Sequence, residues 1–117
     1  MMKRLMIGIP VALLALAASA QDVAKVNPKT ITVKLDNAKV RVLDAVLPPG
    51  AKENLHSHPA SIVCVISGGT VRNHASDGKV TESTYKDGDV VYREPLTHWA
   101  ENIGTKPIHL LVIELKP

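Results

Sequence analysis

From Lys29 onward the chain is built of short apolar segments separated by turn residues, and no stretch carries the 3.6-residue periodicity of a helix of useful length. Residues 30–35 alternate, residues 40–47 form a second segment carrying Arg41 and Asp44, and Pro48-Pro49-Gly50 forces a tight connection after it. Residues 62–66 are continuously apolar, which predicts a strand buried on both faces, ended by Gly68-Gly69. Segments 70–75 and 80–85 flank Ser76-Asp77-Gly78-Lys79, where Asp-Gly predicts a two-residue hairpin turn. Asp87-Gly88-Asp89 marks the next turn, residues 90–93 the next strand, and residues 108–115 the last. Strands of this length over one small domain predict an all-β barrel or sandwich.

The core of such a barrel must be aliphatic. The chain has no Phe, and its aromatic content is 3%, so Val, Ile and Leu remain, residues that suit strands. Residues 1–20 read as a secretory signal peptide: Lys3 and Arg4 open it, an apolar run follows, and Ala18-Ser19-Ala20 supplies the small residues of a cleavage site. Pro10 interrupts the run, which is shorter than the roughly 20 residues of a membrane span, so no permanent membrane anchor is expected. Cleavage near Ala20 predicts a periplasmic or secreted protein. Without the leader the charge is nearly balanced, with twelve basic and eleven acidic side chains over residues 21–117, which argues against a nucleic-acid partner. Residues 21–28 are polar and aperiodic and are expected to form a flexible N-terminal arm ahead of one domain, 29–117. Oligomerisation would help so small a barrel, and a homodimer is expected.

Chemistry concentrates at His56 and His58. In a strand, residues i and i+2 point the same way, about 6.6 Å apart, so the two imidazoles project side by side. On its own the pair admits two readings, alternating histidines on a solvated strand or two ligands for zinc, copper, iron or nickel. A third histidine, His98, follows in THWAEN.

The spacing around these residues resembles the cupin superfamily from about Lys29 to the end of the chain. Gly50, five residues, His56, one residue, His58 and then Gly69 are similar to its first motif; Gly88, Asp89, Pro95, His98 and Asn102 are similar to its second. The resemblance implies a single antiparallel jelly-roll barrel in which His56, His58 and His98 bind one divalent metal: iron, manganese, zinc or nickel. One departure stands out. The family's glutamate ligand falls at position 62, which is Ile62 here, flanked by Ser61 and Val63. Either the site keeps three histidines, or it has become a metal-free pocket. Three neutral imidazoles leave a metal's double charge uncompensated, and such a centre favours a small anionic ligand.

Other residues are expected around this centre. Cys64, the one cysteine, excludes an intramolecular disulfide. Two residues past Ile62, it is expected to face the interior as a buried hydrophobe or a fourth ligand. Glu94, four residues before His98, is the candidate replacement carboxylate or general base, with Tyr92 a second catalytic candidate. Arg93 and Arg72, and also Arg41, are candidates to orient an anionic substrate. Trp99 is expected to face away from His98. His74 is expected at the surface, and His109 as a hydrogen-bonded residue of the last strand or a support for a ligating imidazole. Two functions follow: a metal-dependent enzyme of oxygenase, isomerase or lyase type, or a non-catalytic barrel that captures a metal or small ligand.

Overall fold

The computed structural model describes residues 21–117, so the expected leader at 1–20 lies outside the described residues. Nine strands follow one short helix, α1 (Val23–Val26): β1 (Ile31–Asp36), β2 (Val40–Leu47), β3 (His56–His58), β4 (Ser61–Ser67), β5 (Gly69–Ala75), β6 (Val80–Tyr85), β7 (Val90–Arg93), β8 (Leu96–Asn102) and β9 (Ile108–Leu115). They form two antiparallel sheets, of order β1-β2-β9-β4-β7 and β3-β8-β5-β6. The expected all-β jelly-roll architecture is therefore present, its two sheets facing each other across an aliphatic interior. No helix among the described residues is long and apolar enough to cross a membrane.

Turn chemistry explains the connections. The Ala51 N–H donates to the Pro48 carbonyl across Pro49-Gly50, and Gly50 has φ 79°, a type II geometry that admits glycine at little steric cost. The β5–β6 hairpin differs from the expected two-residue turn. Such a turn needs positive φ at Asp77 as well, yet among the described residues only glycines adopt it, and Gly78 with φ 92° closes a three-residue loop instead.

Register determines what the interior contains. Across the larger sheet, Leu43, Val112, Val63 and Val91 stand in one row, and the first three are buried. Strand β4 is therefore buried on one face: Ser61, Val63 and Val65 point in, while Ile62 and Cys64 are half-buried and Ile66 is 50% exposed on the other side. The continuous apolar run predicted burial on both faces, but this sheet has no layer packed outside it among the described residues. Toward one end the next inward row is polar, pairing Arg41 with Glu114, Glu114 with Ser61 and Ser61 with Arg93.

Residues 21–28 also differ from the expected flexible arm, because they are tied to the barrel. Asp22 caps α1, Val23 is fully buried against Ile31, Leu43, Ala45, Val63 and Val112, and Asn27 is buried beside β3. The polar composition concealed one core anchor, worth about 1.5–3 kcal/mol when a valine-sized side chain is fully buried.

Candidate metal centre

Strand β3 is three residues long and lies at the edge of the smaller sheet, paired with β8 on one side and bridged at Ser57 to Asp22 on the other. Its alternation sends His56 and His58 inward and leaves Ser57 between them to bond Thr97 and Gln21. His98 stands directly opposite His56 in the ladder, so register brings the third imidazole to the other two. All three are buried, with ring centroids 4.7, 4.8 and 5.7 Å apart. One nitrogen from each lies within 4.8 Å of the others, so the three form a group that could hold one metal ion.

Hydrogen bonding selects which nitrogens face the shared space. His56 donates from Nδ1 to the Asn54 carbonyl at 2.7 Å, and His58 donates from Nδ1 to Glu114 Oε2 at 2.8 Å. Each bond fixes the tautomer that leaves Nε2 with a free lone pair. His56 Nε2 and His98 Nδ1 are buried without any protein partner, a costly arrangement unless something else bonds them. Burial, with repulsion from His58 and Arg93, pushes His56 down to about 4; burial and repulsion from His56 and Arg93 push His98 down to about 3. Both are therefore neutral near pH 7, the state a metal ligand requires. The donor set fits a divalent ion.

Two carboxylates that sequence reasoning missed complete the surroundings. Glu53 Oε1 lies 3.8 Å from His56 Nε2, and the Glu53 side chain is only 9% exposed. Burial raises its carboxyl to about 7, against the opposing Ala100 N–H bond and Arg93 charge. Glu114 is also buried, but the bonds from His58 and Arg41 outweigh that burial and hold its carboxyl below the usual range. A charged residue within the last apolar segment was the one available signal for Glu114. Glu53 had none, because it sits in the irregular approach to β3.

Two cavities meet here. An inner one of about 40 Å³ has aliphatic walls including Leu43, Val71, Ala100 and Val112, with Glu53, His58, His98 and Arg93 at its polar end. An outer one of about 320 Å³ is lined by Lys79, Thr81, Ser83 and Thr97 and shares Asn73, Tyr85, Arg93 and His98 with the first.

The family profile described as "Cupin domain" matches residues 43–114. The chain belongs to the cupin family. A cupin domain from Bordetella pertussis Tohama I is 26% identical, with TM-score 0.69 over 74% of this chain and 92% of the other. A Klebsiella pneumoniae protein with a double-stranded β-helix domain is 26% identical, with TM-score 0.57 over 80% of this chain and 87% of the other. A structure titled a predicted oxalate decarboxylase, from Thermotoga maritima, is 27% identical, with TM-score 0.52 over 74% of this chain and 79% of the other. A search of curated proteins gives no match.

Of the residues expected at the site of this cupin, the structure brings Arg93 to it and sends several others away. Arg93 lines both cavities, and its Nε is buried with no partner. Tyr92 and Glu94, the catalytic candidates, bond each other at 3.0 Å on the outside, because β7 alternation turns Val91 and Arg93 inward; Tyr92 is 59% exposed. Arg72 pairs with Glu82 and Glu101 on the outer face of the smaller sheet. Cys64 shares the outward face of β4 with Ile62, so it is neither a fourth ligand nor a pocket residue; Pro59 and Ala60 reset the strand phase after β3. Arg41 is held between Asp22 and Glu114 and lines neither cavity. His74 stacks on Trp99 with centroids 3.6 Å apart, on the face opposite His98, and His109 bonds Asp44 rather than a metal-site imidazole.

Proposed function

We propose that this cupin is an exported protein that holds one divalent metal through His56, His58 and His98 and takes up a small anionic molecule beside it. The observation that carries the reading is the convergence of three buried imidazoles, two of which present nitrogens with no protein partner. Imidazole donors suit iron, manganese, zinc or nickel, and such an ion supplies Lewis-acid or redox chemistry when bound. The remaining roles belong to the chain. Arg93 offers an unpaired donor and a positive charge where the two cavities meet, a suitable seat for a carboxylate. Glu53 is close enough to the open side of His56 to hold or deliver a proton there. The aliphatic wall of the inner cavity keeps bulk water from that end, and its small volume limits the anion to a few heavy atoms. The likeness to the Thermotoga protein agrees with a small carboxylate as ligand. The charged and apolar leader at 1–20 supports export, and Ile66, Val90 and Tyr92, exposed on one outer face, support a homodimer.

A non-catalytic barrel that captures metal or anion is the second reading. It is favoured by the outward position of Tyr92 and Glu94, which leaves Glu53 as the acid–base group at the site. Elemental analysis of chain purified without chelators tests the centre: near one metal per chain is expected, and His98→Ala should lose it. Calorimetry with oxalate and formate on the loaded chain, followed by an assay for their turnover, then separates the two readings. Chain that takes up no divalent ion on reconstitution refutes both metal assignments.

A further inference from the structure

Two hydrogen-bonded paths run from residues 22–27 to the candidate ligands. In the first, Asp22 Oδ1 lies 2.8 Å from an Arg41 guanidinium nitrogen, and Arg41 Nε donates to Glu114 Oε1 at 2.8 Å. Glu114 Oε2 then accepts from His58 Nδ1 at 2.8 Å. In the second, the Asn54 N–H donates to Asn27 Oδ1 at 2.7 Å, and Asn54 Nδ2 donates to the Val26 carbonyl at 2.6 Å. The Asn54 carbonyl held by these bonds accepts from His56 Nδ1. Residues 22–27 lie ahead of the shared cupin region, 43–114.

We infer that this N-terminal segment is part of the metal centre: Asp22 positions His58 through Arg41 and Glu114, and Asn27 positions His56 through Asn54. The physical basis is orientation and charge. A ring held at Nδ1 cannot rotate its Nε2 lone pair out of the shared space, and partners of this kind tune metal affinity about 10- to 100-fold. The first path contains two carboxylates and one guanidinium, so it also places one net negative charge behind His58, a compensation that imidazole ligands do not themselves supply to a metal. Glu114 is 3% exposed and Arg41 18% exposed, so the path is shielded from water over most of its length. The inference rests on the metal reading above, and its residues are positioning residues that touch no substrate.

The test is a competition titration of Co²⁺ against a chelator on the full chain, with the visible absorption of the bound ion recorded. Glu114→Gln is expected to weaken binding about 10- to 100-fold and to shift the cobalt bands. Asp22→Asn is expected to weaken it less, in the same direction, and to have no further effect in the Glu114→Gln background, since its path runs through Glu114. Asn27→Ala should weaken binding independently of both. Arg72→Met, which breaks a surface ion pair outside the paths, should bind as wild type. Asp22 is partly exposed, so Asp22→Asn decides the question even if the Glu114 variant fails to fold. Tight wild-type binding with unchanged affinity and bands in Asp22→Asn and Asn27→Ala, or additive losses for Asp22 and Glu114, overturns this inference alone. A wild-type chain that binds no Co²⁺ overturns the metal reading and this inference together.

Discussion

Glu53→Gln should make the metal-free protein more stable at alkaline pH and leave it unchanged in acid. Burial holds the Glu53 carboxyl at about 7, against 4.5 in the unfolded chain. The folded state therefore binds a proton more tightly, and as pH rises from 4.5 through about 7 stability is lost. At about 1.4 kcal/mol per pH unit, the full cost of ionising this group in the folded protein is about 3 kcal/mol. Glutamine has nearly the same shape, keeps an acceptor for the Ala100 N–H and never ionises, so the variant escapes that cost. Urea titrations in the presence of a chelator, at pH 4.5 and at pH 8, measure the difference. The expected result is coincident midpoints at the lower pH and a variant more stable by about 3 kcal/mol at the higher one. Taking the difference between the two proteins cancels the titrating groups that do not interact with Glu53. Parallel profiles for variant and wild type would refute the claim that Glu53 is confined in a dry, uncompensated position.

The buried imidazoles carry the opposite sign. His56 and His98 fall from 6.5 to about 4 and about 3, so the unfolded chain binds their protons first, and the metal-free protein should lose stability as pH drops below 6.5; thermal melts between pH 7 and pH 4 measure this. Leu43→Ala removes a fully buried side chain from the central row of the larger sheet and should cost about 2–5 kcal/mol, read as a shift in urea midpoint at constant slope.

Alternation and turn residues predict short strands and an all-β barrel or sandwich, because strand period and turn chemistry are local properties. The jelly roll and the joining of His98 to His56 and His58 rest on the resemblance to the cupin motifs. Tyr92 and Glu94 lie near His98 in sequence, but a strand sends neighbours to opposite faces, and Arg72 carries no signal of which face it takes. Cys64 follows the phase of Ile62, which the structure turns outward. Without the register and the phase break at Pro59 and Ala60, no counting could say which face was inner. Burial on both sides of β4 failed for a related reason: an apolar run states what a strand tolerates, not how many layers cover it.

The amino-acid order by itself determined that this chain makes short strands, places two histidines on one face of one of them, and builds its interior from aliphatic side chains. Only the tertiary structure decided what surrounds those histidines. Residues 41, 61, 93 and 114 form one polar row because β2, β4, β7 and β9 pair in that register, and residues 27 and 53 reach β3 through loops that no periodicity describes. Chemistry assembled across a sheet depends on pairing between distant segments, and pairing is settled only when the whole barrel closes.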